Sequence, residues 1–290
     1  MGLALANQFP AAKAVFEAAD EALAFPISKL CFEGPEDQLK LTQNTQPALV
    51  TVSSAAFAVL DVKPDYVAGH SLGEYSALVA AGSLHFEDAV RIVRNRGRYM
   101  QEAVPPGVGA MAALLKLPEG ALDSILAEAA QGEVLQAANF NSPDQIVIAG
   151  HAGAVQRAAE LAKAAGAKRA VMLPVSAPFH CALMKPAQER LKLDLDAANF
   201  AALNATLINN WQAAEVSTGE DARRGLYEQV PNPVRWAESM RKLLALGVTK
   251  FVEVGAGSVL SGILRNISPE ARCARFGEPA DLDKVLELLG

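Results

Sequence analysis

The sequence predicts an α/β fold, with a large parallel-sheet domain interrupted by a smaller ferredoxin-like subdomain. Three observations carry that expectation. Apolar strand-like runs alternate with amphipathic helical stretches along most of the chain, the pattern of an α/β protein. Between residues 109 and 175 the order becomes strand, helix, strand, strand, helix, strand, which packs two helices on one face of a four-stranded antiparallel sheet. No internal repeat is visible, which excludes a solenoid.

Residues 11–25 and 36–62 read as helices, 66–69 as a short buried strand, 72–81 as the helix that follows it, and 86–103 as another helix. Pro105-Pro106-Gly107 then punctuates the chain, because paired prolines and a glycine cannot continue a helix. A new unit begins there: strand 110–117, helix 119–131, two strands separated by Asn141-Ser142-Pro143-Asp144, helix 154–165 and strand 169–175. Residues 107–175 are therefore assigned to the small subdomain, and 1–106 with 176–290 to the large domain. The resumed part contains an apolar strand at 250–254 that runs into Gly255-Ala256-Gly257 and a helix.

Of the 290 residues 51% are hydrophobic and 20% charged, which excludes a disordered or low-complexity chain. A formal charge of -6, without a block of Lys or Arg, gives no footprint for nucleic acid or a membrane surface. No apolar run is long enough to span a bilayer, and the N-terminus lacks the layout of a signal peptide, so a soluble cytoplasmic protein is expected. Cys31, Cys181 and Cys273 are few, odd in number and widely spaced, an arrangement that suits reduced thiols rather than disulfides or a metal site.

The strongest chemical signal is Gly69-His70-Ser71-Leu72-Gly73, a G-x-S-x-G string between an expected strand and an expected helix. A sharp turn there presents the Ser71 hydroxyl at the sheet edge, the glycines permit close backbone approach, and the N-terminal amides of the following helix point at the site. The plainer alternative is a glycine-rich turn with a capping serine. A serine nucleophile needs a base, and the chain offers His70, His85, His151 and His180. His70 adjoins the serine, so its side chain should diverge from the hydroxyl. His85 and His151 sit beside polar turns, where a solvated imidazole is expected. His180 remains, at the return from the small unit to the large one. A Ser-His-Asp arrangement would draw its acid from candidates such as Asp144, a reading that stays open at this point.

Several linked motifs resemble the malonyl-CoA:acyl-carrier-protein transacylases of fatty-acid synthesis. They are Gly69-His70-Ser71-Leu72-Gly73-Glu74-Tyr75-Ser76-Ala77-Leu78, Arg96-Gly97-Arg98-Tyr99-Met100-Gln101 and Ser176-Ala177-Pro178-Phe179-His180. Thr45-Gln46-Pro47-Ala48, Asn139-Phe140-Asn141-Ser142-Pro143, Asn232-Pro233-Val234-Arg235-Trp236 and Glu253-Val254-Gly255-Ala256-Gly257 extend the resemblance over nearly the whole chain.

The resemblance implies an α/β-hydrolase-like large domain and a ping-pong acyl transfer from malonyl-CoA to the phosphopantetheine thiol of acyl carrier protein. Ser71 would be the nucleophile and His180 the base. The backbone carbonyl of Gln229 would orient the imidazole, and the N–H of Leu72 would serve the oxyanion. Arg96 would hold the malonyl carboxylate, against the alternative of a surface arginine among Arg91, Arg94 and Arg98. Gln46 and Asn141 would be polar pocket residues, against a helix-start glutamine and a hairpin-turn asparagine. Met100 reads equally as pocket lining or core, and Phe179 as a malonyl-type specificity residue or core packing. No cofactor is implied beyond the coenzyme A thioester, which is substrate, and the chain is taken as a monomer.

The family's N-terminal strand and Gly-Gln-Gly-Ser-Gln loop, source of a second oxyanion donor, have no counterpart in the sequence, and Met1-Gly2-Leu3 resembles the segment after that loop. Slow acylation is the expectation that follows. Gly255-Ala256-Gly257 lacks the third glycine of a dinucleotide fingerprint, so a nicotinamide cofactor is not expected. Other readings are a polyketide-pathway acyltransferase, a malonyl-thioester hydrolase and a non-catalytic acyl-carrier-binding protein.

Overall fold

The computed structural model describes residues 1–175 and 177–290. Ser176, expected to open the return to the large domain and the Ser-Ala-Pro-Phe-His motif, lies outside the described residues.

Five helices lead the chain: α1 (Leu3–Gln8), α2 (Pro10–Leu23), α3 (Ile27–Glu33), α4 (Glu36–Leu39) and α5 (Thr42–Leu60). The single helix expected over 36–62 divides at Lys40-Leu41. Side chains at the start of α5 take the carbonyls that end α4, with Asn44 Nδ2 donating to the Gln38 carbonyl at 2.9 Å and Thr45 Oγ1 to that of Leu39 at 2.5 Å. Val50, Val52, Ala55 and Ala56 make α5 a buried spine.

The strand expected over 66–69 is shorter and less buried than the sequence suggests: β1 (Tyr66–Val67) is half-buried, and the chain leaves it for a turn before α6 (Gly73–Ala80). Next comes α7 (Phe86–Glu102), whose buried face carries Ala89, Val90, Ile92, Val93, Arg96, Gly97 and Met100. A Cβ on Gly97 would lie 2.5 Å from the Thr42 carbonyl oxygen and 2.8 Å from Gln43 Cα. Glycine thus lets α7 press against the start of α5, bringing Arg96 beside Gln46.

The chain continues through β2 (Gly109–Leu115), α8 (Ala121–Ala130), β3 (Leu135–Ser142), β4 (Gln145–His151), α9 (Ala152–Ala164) and β5 (Arg169–Met172). These strands form one antiparallel sheet in the order β3-β4-β2-β5, the ferredoxin-like arrangement read from the sequence. Alternation along β2 explains its unbroken apolar run. Ala112 and Leu114 face α8 and α9, while Met111 and Ala113 face Cys181 with Phe179 and Leu183. The second face of this sheet therefore supports the segment that carries His180.

The remainder comprises a short 3-10 turn (Ala182–Met184), α10 (Lys185–Ala197), β6 (Thr206–Ile208), β7 (Glu215–Val216), α11 (Gly219–Gln229), α12 (Trp236–Ala245), β8 (Lys250–Val254), α13 (Val259–Ile267), β9 (Arg272–Phe276) and α14 (Leu282–Leu289). The expected parallel pairings are present in two short pieces among the described residues: β1 with β6, to which β7 adds antiparallel, and β8 with β9. On its edge away from β4, β3 also bonds the return segment, with Phe140 N–H on the Val234 carbonyl and Val234 N–H on that of Ala138, each at 2.9 Å.

After β8, Gly255 sits at φ +118° where a Cβ would lie 2.3 Å from Ser53 Oγ, a packing reason for the glycine. The Glu253 carboxylate accepts the N–H groups of Leu260 and Ser261 at the start of α13. Among the described residues no helix is long and apolar enough to cross a membrane. Cys31 and Cys181 are buried, Cys273 is half-buried, and all three are free thiols.

Candidate active site

The elbow is held open by glycine on one side only. A Cβ on Gly69 would lie 1.9 Å from the Gly73 carbonyl oxygen, whereas one on Gly73 would meet nothing within 4 Å. Ser71 occupies the left-handed region at φ +50°, a conformation that costs a non-glycine residue energy and persists where surrounding contacts impose it. Asn210, two residues past β6, imposes it. Its Nδ2 donates to the Gly69 carbonyl at 2.7 Å, and its Oδ1 accepts the Ser71 N–H at 2.6 Å. A side-chain amide thus replaces the sheet ladder where β1 stops short. The Leu72 N–H has no partner among the described residues, while the next amides close the turn, Gly73 onto His70 at 2.9 Å and Glu74 onto Ser71 at 3.1 Å.

His180 is buried, at φ +59°, with Nε2 2.7 Å from Ser71 Oγ and Nδ1 3.0 Å from the Gln229 carbonyl oxygen. A carbonyl only accepts, so Nδ1 carries the proton and the Nε2 lone pair faces the serine hydroxyl. Burial, and next the Arg96 charge, push the imidazole down from 6.5 to about 3, which leaves it neutral. Asp144 instead lies at the β3–β4 turn 3.5 Å from Lys116 Nζ, so the Ser-His-Asp reading left open by the sequence is closed.

Arg96 is 2% exposed, not a surface arginine. One terminal nitrogen donates to Gln46 Oε1 at 2.8 Å; the other donates to Ser71 Oγ and to Gln229 Oε1, each at 3.0 Å. Its partners are neutral oxygens, and its buried Nε has none among the described residues. Burial works against its charge, while Tyr75 and Glu74 favour it. Arg91 and Arg94 fall on other faces of α7, pairing with Asp88 at 3.1 Å and lying 4.3 Å over the Phe25 ring.

Gln46 is likewise buried, not a surface residue. Met100 is fully buried and packs with Val50, Tyr75 and Leu78. Phe179 is half-buried where the core around α7 meets the underside of the small sheet. Asn141 meets the elbow through His70, whose Nε2 lies 2.8 Å from its Oδ1, and it donates to Gln145 Oε1 at 3.0 Å. His70 does diverge from the serine and stacks tilted against Trp236 at 5.5 Å. His85 is exposed, as expected. His151 differs from the solvated imidazole expected: its Nδ1 accepts the Val134 N–H at 3.0 Å and ties the ends of β3 and β4 together.

Sequence reasoning passed over two residues. Asn210 follows an apolar strand in Leu207-Ile208-Asn209-Asn210, a polar pair at a strand end that could have drawn notice. Glu74, in the first turn of α6, is fully buried, and burial raises its carboxyl from 4.5 to about 7 against the pull of Gln229, Asn210 and Arg96. Nothing in a helix-start glutamate signals that.

The arrangement unites an activated hydroxyl, a neutral imidazole and a buried guanidinium at one point. Comparison with known proteins agrees with it. The acyl transferase domain family matches residues 1–274. The chain is 47% identical to the malonyl CoA-acyl carrier protein transacylase of Bacillus subtilis (strain 168), over 100% of this chain and 92% of that protein. It resembles the solved acyl carrier protein S-malonyltransferase of Vibrio cholerae O1 biovar eltor with TM-score 0.96 and 43% identity, covering 98% of this chain and 94% of that one. A type II PKS acyl-carrier protein in complex with its malonyl-transacylase matches with TM-score 0.96 and 42% identity, over 99% and 94%. By sequence, fold and family match together, the chain belongs to the acyl transferase domain family.

Proposed function

We propose that the chain moves a malonyl group from malonyl-CoA to the phosphopantetheine thiol of acyl carrier protein through a malonyl-Ser71 ester. The observation that carries this is a single atom's surroundings: Ser71 Oγ lies 2.7 Å from His180 Nε2 and 3.0 Å from an Arg96 terminal nitrogen. The first contact fits a nucleophile with its base; the second places a cation where an acyl group with its own carboxylate would be read.

In the first half-reaction Ser71 Oγ bonds to the thioester carbonyl carbon as His180 Nε2 takes the hydroxyl proton. The Leu72 N–H is placed to donate to the oxyanion that forms. Collapse breaks the carbon–sulfur bond, and coenzyme A leaves with the proton from His180. In the second, the carrier thiol gives its proton to His180 and attacks the ester, and Ser71 leaves with that proton. The Gln229 carbonyl keeps Nδ1–H in place throughout, and Arg96, assisted by Gln46, holds the malonyl carboxylate. The large domain over 1–106 and 176–290 supplies Ser71, Arg96, His180 and Gln229, and the subdomain over 107–175 meets the elbow through Asn141 on His70.

The name of the relative at 47% identity and the carrier complex among the structural neighbours support malonyl transfer to a carrier over the hydrolase and non-catalytic readings. Transfer of labelled malonyl to carrier protein, with release of free malonate measured in parallel, tests it. Carrier loading well above hydrolysis supports transfer; malonate release without loading contradicts it.

A further inference from the structure

Glu74 Oε2 lies where two lines of support meet. It accepts the Asn210 backbone N–H at 2.9 Å and Gln229 Nε2 at 2.9 Å. Asn210 in turn grips Gly69 and Ser71, and Gln229 carries the carbonyl that orients His180. Gln229 Nε2 also donates to the Ser71 carbonyl at 3.0 Å, closing the loop. The other carboxylate oxygen, Oε1, is buried and has no partner among the described residues. All the polar contact of this fully buried side chain thus passes through one oxygen.

We propose that Glu74 is a positioning residue that sets the distance between Ser71 and His180, an inference that rests on the nucleophile and base roles given above. The strained Ser71 and the imidazole come from separate segments, and one oxygen fixes both anchors to the first turn of the helix behind the nucleophile. A displacement of about 1 Å at reacting groups costs on the order of 10²-fold in rate, which makes such a shared anchor consequential.

The full chain is compared with Glu74→Gln, Glu74→Asp and Glu74→Ala, following thermal melting, kcat and KM for malonyl-CoA, and Ser71 labelling by a neutral fluorophosphonate. Glutamine keeps one acceptor oxygen for both donors and places its amide nitrogen where Oε1 has no partner, so kcat and labelling stay within about threefold. Aspartate keeps the charge but withdraws the oxygen by one methylene, so kcat and labelling fall about tenfold or more with KM little changed. Alanine falls further, by about 10²-fold.

A cooperatively melting Glu74→Ala that labels at the wild-type rate overturns the proposal. If Glu74→Ala does not fold, the other pair decides: glutamine faster than aspartate supports positioning, and aspartate equal or faster overturns it. Losses that follow melting temperature across the series, with KM moving as much as kcat, also overturn it in favour of a purely structural role. Wild-type protein that is not labelled at Ser71 removes the functional reading itself, a result distinct from those.

Discussion

His180 directs Nδ1 at the backbone carbonyl of Gln229, 3.0 Å away, and the side chain of that same glutamine donates to Glu74 and accepts from Arg96. One residue thus holds the imidazole by its main chain and links the Arg96 guanidinium to a buried acid by its side chain. A carbonyl fixes the tautomer as a carboxylate would, but without a negative charge to stabilise imidazolium. Beside Arg96, that choice keeps the imidazole neutral.

The first expectation concerns pH. His180 is held at about 3, below its ordinary 6.5, so its base form persists as pH falls and kcat/KM for malonyl-CoA, which reports the free enzyme, shows no acid limb near pH 6.5. The Arg96 charge is the second cause of that depression, so Arg96→Ala moves the limb upward. Rates of Ser71 labelling by a neutral fluorophosphonate from pH 4 to 8 measure both. A wild-type rate that drops in proportion to acidity below pH 6.5 contradicts this reading.

Arg96→Ala should also impair malonyl-CoA more than acetyl-CoA, because only the malonyl group has a free carboxylate to pair with the guanidinium. Loss of a charge-assisted pair is worth about 10²-fold in the ratio of the two kcat/KM values. An unchanged ratio would return Arg96 to a structural part in the core.

Much of this was legible in the sequence, and the exceptions have physical reasons. The β-α-β-β-α-β order of the small sheet follows from periodicity and turn residues, which are local signals. Ser71 was legible from its string and position, and His180 by elimination among the histidines. Gln229 and Arg96 were not derivable that way, since only resemblance separates Arg96 from its neighbours on α7. Glu74 and Asn210 were missed because what defines them is contact across 136 residues of chain, which no local pattern encodes. The length of β1 was overestimated, since beyond Val67 the Asn210 side chain, and not a partner strand, takes the Gly69 carbonyl.

Glycine substitutions separate the two positions of the elbow. Gly69→Ala drives a methyl group into the Gly73 backbone and should abolish Ser71 labelling with a large fall in melting temperature, since backbone cannot yield as a flexible side chain does. Gly73→Ala meets nothing within 4 Å and begins α6, so its melting temperature should be unchanged or slightly higher. Equal destabilisation by both would show that the turn is not built as described.

Glu74 gives a stability prediction with a definite sign. Its folded carboxyl is raised to about 7 from 4.5, so the folded state binds its proton more tightly than the unfolded state does. The associated stability is fully present below about pH 4.5 and is lost as pH rises through 7. Glutamine does not titrate. The melting temperature of Glu74→Gln should therefore gain on that of wild type between pH 4.5 and 7 and level off above; a difference that stays constant with pH contradicts the assignment.

The most direct measurement of the central claim is mass spectrometry of the intact chain and its peptides after brief exposure to malonyl-CoA without carrier protein. Wild type should carry one malonyl group on Ser71, discharged when carrier thiol is added, and Ser71→Ala should carry none. Undiminished adduct on Ser71→Ala, or an adduct on wild type at another residue that the carrier discharges, would contradict the account.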